Sequence, residues 1–149
     1  MSFIDDIPPF KKVLLPINPD QVQPKAVEFA ARVASQYGVS LNLMFVFELP
    51  GRSKGAGFVV ESSEQLEADV NRLITEQIKP LLGDVSLADI IIRSGRAADQ
   101  IIEVADELGA DVIIMGAQGK TGLTHLIMGS VTEKVVHLAT RPVLTVPLR

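Results

Sequence analysis

Asp111-Val112-Ile113-Ile114-Met115-Gly116-Ala117-Gln118-Gly119-Lys120-Thr121-Gly122, running on to Gly129-Ser130-Val131, is the stretch on which the reading of the fold turns. Asp111 to Met115 reads as a buried strand, a glycine-rich loop follows, and an amphipathic helical segment runs from Val131 to Ala139. Strand, glycine loop and helix in that order make a phosphate-binding layout. Glycines at 116, 119, 122 and 129 let backbone N–H groups approach a ligand that a Cβ would hold off. Successive amides form an anion-binding concavity, and the helix opening at Ser130 adds free N–H groups and a positive dipole end. A plainer account has the glycines make a tight turn, with Ser130 as N-cap and Glu133 completing a Ser-x-x-Glu capping box. Four glycines in one such loop favour a ligand. Two better-known loops are excluded. Gly119-Lys120-Thr121 matches the end of a Walker A motif, but that motif needs glycine where Ile114 stands. The dinucleotide fingerprint G-x-G-x-x-G fails because the spacing here is G-x-x-G-x-x-G, near the C-terminus rather than after the first strand.

Working outward, four more strands and three more helices alternate along the chain. Val13-Leu14-Leu15-Pro16-Ile17, after Lys11-Lys12, fits a strand covered on both faces. Asp20 and Gln23 are placed to form a capping box for a first helix carrying Val22, Ala26, Phe29, Ala30, Val33, Ala34 and Tyr37 inward, closed by Gly38. Val39 to Phe47 is the second strand. Glu48 to Ser63 reads as a surface loop with Arg52 and Lys54. Ser62 and Gln65 open a second helix with Leu66, Val70, Leu73, Ile74, Ile78 and Leu81 inward, ended by Pro80 and Gly83. Ser86 to Arg93 is the third strand. Gly95-Arg96 turns into a third helix with Ala98, Ile101, Ile102, Ala105 and Leu108 inward, stopped by Gly109. Val143 to Val146 is the last strand. This alternation predicts an α/β fold, an open five-stranded parallel sheet with helices on both faces.

The 149 residues suit a single domain, 1–149, and the 47% hydrophobic share is that of a globular protein. A net charge of -4 leaves no basic excess for nucleic acid. The chain has no cysteine, which removes disulfides and thiol chemistry. No apolar run reaches the roughly 20 residues of a membrane span, and the N-terminus lacks a signal pattern, so a cytoplasmic protein is expected.

Gly116, Gly119, Gly129 and Ser130 fit the pattern Gly, two residues, Gly, nine residues, Gly, Ser or Thr. In this the chain resembles the ATP-binding branch of the universal stress protein family. Ala110 to Gly116 and Arg141 to Pro147 also look like that family's last two strands, and the resemblance covers nearly the whole sequence. It implies an adenine nucleotide alpha hydrolase-like sheet of order 3-2-1-4-5, whose reversal falls between strands one and four. Sites in such sheets lie outside the carboxyl ends of the strands at that reversal. It further implies that ATP, or AMP or ADP, is contacted by Pro16, Ile17 and Asn18 after strand one, and by Val46 near the end of strand two. Met115, Gly116, Gly119, Gly129, Ser130 and Val131 complete the contacts. Val46 and Met115 offer apolar surface and backbone polar groups to adenine, while the amides from Gly119 to Val131 and the Ser130 hydroxyl hold phosphates. Lys120 either pairs with a terminal phosphate or is simply solvated, and Thr121 and Thr124 are candidate secondary donors. One departure is Asn18, where the family usually has Asp; an amide brings no charge to Mg²⁺. No Ser-His-Asp or metal-ligand set surrounds His125 or His137, and Arg96, at a helix start, is placed either to face the crevice or to lie at the surface. Antiparallel pairing of Val143 to Val146 with its copy is the implied homodimer contact. The leading functional expectation is a dimeric stress-response module that binds an adenine nucleotide. The alternatives are a slow ATPase or nucleotidyl transferase, with Asp20, His125 or Lys120 as candidates to activate an acceptor, and a nucleotide-free adaptor dimer.

Overall fold

The computed structural model describes residues 10–48, 63–117 and 129–147. Their strands are β1 (Val13–Ile17), β2 (Leu41–Phe47), β3 (Leu87–Ser94), β4 (Val112–Gly116) and β5 (Val143–Val146). The helices are α1 (Pro24–Tyr37), α2 (Ser63–Leu73), α3 (Ala97–Leu108) and α4 (Ser130–Leu138). All four strand pairings are parallel and the sheet order is β3-β2-β1-β4-β5.

Strand alternation sorts the core into two layers. Val13, Leu15 and Ile17 join Leu41, Leu43, Phe45, Val112 and Ile114 on the face covered by α1 and α2. Leu14, Met44, Val46, Ile113 and Met115 lie on the other face, under α3 and α4. Each central strand is covered on both sides, so it reads as a continuous apolar run rather than an alternating one.

The helices pack somewhat differently from their apolar periodicity. In α1 the buried residues are Ala26, Val27, Ala30, Ala31 and Ala34, whereas Phe29 and Tyr37 are 38% and 42% exposed. Small side chains let the helix axis come close to the sheet, which turns the two aromatics to the rim; there Tyr37 meets Phe10 at 5.0 Å between ring centroids. The Asp20–Gln23 capping box does not form. Gln23 is itself the N-cap, without a side-chain capping bond, and Pro24 fills the first helical position, where a missing N–H costs nothing. In α3 the inward residues are Ala98, Ile101, Val104 and Ala105, so Val104 takes the place expected of Ile102.

Helix α2 continues as a π-helical turn, Ile74–Ile78, and a 3₁₀ turn, Lys79–Leu81. Its buried residues Val70, Ile74, Ile78 and Leu82 are spaced by four. Four-residue spacing drifts around an α-helix of 3.6 residues per turn, and the wider π turn holds Ile74 and Ile78 over the same face. Gly38 and Gly109 close α1 and α3 in the left-handed region, at φ 65° and 70°.

At the amino end of the sheet, the Asp111 carboxylate accepts the backbone N–H groups of Lys11 and Lys12 at 2.8 and 2.9 Å. Lys12 returns a bond from its ammonium to the Leu108 carbonyl at the end of α3. Asn42 is a buried polar residue within β2. Its Nδ2 donates to the Val13 carbonyl and its Oδ1 accepts from the Asp89 N–H. It sits where the β2–β3 register shifts, between the pairs Leu41–Leu87 and Leu43–Ile90. No helix among the described residues is long and apolar enough to cross a membrane.

Candidate functional site at the carboxyl edge

Strands β1 and β4 are neighbours, but their outgoing connections part. The chain leaves β1 for α1 on one face of the sheet and arrives through α4 on the other before β5. In parallel sheets a divergence of this kind marks an expected crevice at the carboxyl ends of the two strands, here Pro16-Ile17-Asn18 and Met115-Gly116-Ala117.

Val46 and Met115 belong to the α3/α4 layer and are 9% and 7% exposed, and Val131 of α4 packs against the same cluster. Pro16 alternates to that face beside Leu14. Three adjacent strands thus end in apolar side chains on one side of the sheet. The Ile17 side chain points into the opposite layer, which leaves only its backbone at the crevice. Asn18 is exposed, and its Oδ1 accepts the Asp20 N–H at 2.9 Å while its carbonyl accepts the Gln21 N–H at 3.1 Å. These bonds form a local turn of the kind asparagine favours.

The glycine segment is fastened at both ends. Ala117 donates its N–H to Val146 of β5, which extends the β4–β5 ladder, and Gly129 donates its N–H back to the Ala117 carbonyl at 3.2 Å. One turn into α4, the buried Thr132 hydroxyl donates to the Gly116 carbonyl at 3.0 Å. The chain therefore leaves the sheet at Ala117 and returns to the same place at Gly129. Gly119, Lys120, Thr121, Gly122, Thr124, His125 and Met128 lie outside the described residues, as does 49–62.

The capping-box alternative at α4 fails. Gly129 is the N-cap, at φ -59° and ψ 152°, and Ser130 is the first helical residue, exposed and without a side-chain capping bond. Glu133 donates its N–H to the Gly129 carbonyl. The amides of Ser130 and Val131 thus stand at the positive end of α4 beside the β4 terminus. The other helix on this face is closed: one carboxylate oxygen of Glu48 accepts the Ala97 N–H at 2.9 Å, at the start of α3. Thr132 and Glu48 were not singled out from sequence. Both belong to local patterns that are common for other reasons, a threonine in a first helical turn and an acid in a loop.

The sequence model described as the universal stress protein family matches residues 9–147. The chain belongs to the universal stress protein family. Universal stress protein MJ0531 of Methanocaldococcus jannaschii is 30% identical over 145 residues, covering 92% of this chain and 82% of that protein. Among solved structures, the hypothetical protein MJ0577 of the same organism superimposes with a TM-score of 0.69 at 26% identity, over 95% of this chain and 99% of the other. A universal stress protein from Archaeoglobus fulgidus, solved in complex with dAMP, has a TM-score of 0.61 at 19% identity, over 93% and 98% of the two chains. The sheet order expected from the resemblance is thus the order found, in a fold shared with the MJ0577 structure.

Proposed function

We propose that this universal stress protein is a regulatory module that holds ATP, or a related adenine nucleotide such as AMP or ADP, in the crevice between β1 and β4. The observation that carries the reading is the fastening of the glycine segment at the strand-order reversal, Gly129 to Ala117 and Thr132 to Gly116. It puts the start of α4 beside the end of β4, so that helix amides and strand terminus face one small space. In this reading Pro16, Val46 and Met115 give the adenine its apolar surface. The amides of Gly119, Gly129, Ser130 and Val131, with the Ser130 hydroxyl, hold the phosphates, and Lys120 pairs with the outermost one. The dAMP complex of the Archaeoglobus fulgidus protein supports an adenine nucleotide as the class of ligand. The module acts as a homodimer through β5, an edge strand whose outer backbone groups have no strand neighbour among the described residues.

The test is calorimetric titration of nucleotide-stripped protein with ATP, AMP and GTP, alongside Gly129→Asp. The dihedrals at Gly129 are open to any residue, so that substitution adds a charge at the phosphate position without backbone strain. The expected result is adenine-selective binding tighter than millimolar, about -4 kcal/mol, lost in Gly129→Asp with the unfolding midpoint kept. No binding by any of the three nucleotides would overturn the reading and leave the adaptor dimer in its place.

A further inference from the structure

Strand β3 forms the edge of the sheet away from β5. Gly95 donates its N–H to the Phe47 carbonyl, and Asp89 donates its N–H to the Asn42 side chain, both in β2. Backbone groups alternate in direction along a strand, so Ile91 and Arg93 also turn theirs toward β2, and Ile90, Ile92 and Ser94 turn theirs outward. Among the described residues no strand lies beyond them. Edge strands are commonly guarded by charge, but Arg93 lies on the opposite face, paired with Glu107 of α3, and Ile90 is 43% exposed.

Between this edge and the end of the α2 segment runs a groove of about 600 Å³, with Leu87 and Ile90 on one wall and Asn71, Thr75 and Lys79 on the other. The π turn shapes the second wall. Asn71, Thr75 and Lys79 are spaced by four, one residue along from the buried row Val70, Ile74 and Ile78. In an unbroken α-helix such a row would drift around the axis, and the wider turn keeps all three exposed side chains on the groove. Each offers a hydrogen-bond donor. Among the described residues Lys79 is the one charged residue that lines the groove, and it has no ion-pair partner. Glu76, Asp84 and Asp89, the acids nearest in sequence, do not line it.

An unpaired strand edge beside an apolar wall, with a cation opposite, suits an extended acidic peptide. A strand laid along β3 satisfies the outward N–H and C=O groups, sets an apolar side chain against Ile90 and brings a carboxylate to Lys79. We propose that the β3 edge docks an extended segment of a partner protein by strand addition, the segment carrying an apolar residue for Ile90 and an acidic one for Lys79. This goes beyond the nucleotide reading and uses neither the β1–β4 crevice nor β5.

The test is selection from a phage-displayed library of linear peptides on the wild-type chain, on Ile90→Lys and on Lys79→Glu. Both side chains are exposed, so the variants are expected to keep the wild-type unfolding midpoint. The wild type is expected to enrich peptides that combine an acid with apolar residues at alternate positions. The most enriched peptide, made synthetically, should bind each variant about tenfold more weakly, the loss expected when a main contact of an interface is removed. Bound to the wild type, it should slow amide exchange at Ile90, Ile92 and Ser94 and leave the β5 amides unchanged. Failure to enrich any peptide over the Ile90→Lys background overturns the proposal, as does equal binding by wild type and both variants or protection confined to other strands. Protection of the three β3 amides that grows with protein concentration in the absence of peptide also overturns it, since a second copy then occupies the edge.

Discussion

Thr132 shows how much of the candidate site hangs on single side chains. Its hydroxyl is buried and donates to the Gly116 carbonyl, so the bond fixes where α4 begins relative to the end of β4. Thr132→Val keeps the shape and removes the donor. It is expected to lower stability by about 1 kcal/mol, the net worth of one such bond, and to weaken nucleotide binding several-fold; denaturant unfolding and titration measure the two. At the other end of the sheet, Asp111 governs an acid-sensitive contact. The backbone N–H groups of Lys12 and Lys11 hold its carboxyl below the usual 3.8. A carboxyl whose pKa is lowered by folding stabilises the native state fully above its unfolded value. That contribution is lost as pH falls from there through the folded value. Asp111→Asn should therefore lower stability at neutral pH and flatten its decline below about pH 4, as read from denaturant unfolding across pH. Unchanged acid dependence in the variant would show that the two N–H bonds contribute nothing.

Elements are tied together at points that periodicity does not mark. Asn42 interrupts an otherwise apolar β2, yet it is 4% exposed and bridges β1 and β3 where the register between β2 and β3 shifts. A side-chain amide replaces the regular ladder contact that the irregularity removes. Asn42→Ala breaks both bonds and is expected to cost about 2 kcal/mol, at about 1 kcal/mol each, with local loss of amide protection in β3; hydrogen exchange checks the second part. The π turn at Ile74–Ile78 is a similar case, since the fourfold spacing of its buried residues is visible in the sequence but its accommodation is not. Pro80, with no N–H to give, sits in the 3₁₀ turn that ends the segment.

At the scale of the whole molecule, β3 and β5 are the sheet's two edges. Leu144 packs against the α1/α2 layer and Val143 against the α3/α4 layer, which leaves the backbone edge of β5 as the surface that a second copy would pair with. Pro142 and Pro147 bracket the strand and confine that pairing to its four residues. Light scattering is expected to give about 32 kDa, twice the 16.1 kDa of the chain. A monomer mass at micromolar concentration would rule the β5 dimer out.

Sequence alone was enough for the α/β alternation, the number and order along the chain of the described strands, the helix-ending glycines at 38 and 109 and the family, because each rests on local patterns: apolar runs, glycine stops and motif spacing. Once the resemblance supplied the strand order, it also pointed to the reversal between β1 and β4 that the sheet contains. Which residues close the site depended on the tertiary structure. Thr132 reaches Gly116 and Glu48 reaches Ala97 only after strands and helices distant in sequence are packed side by side. The same holds for the inward face of α1. A stripe containing Phe29 and Tyr37 is as apolar as one of alanines, and the close approach of helix to sheet selects the smaller side chains.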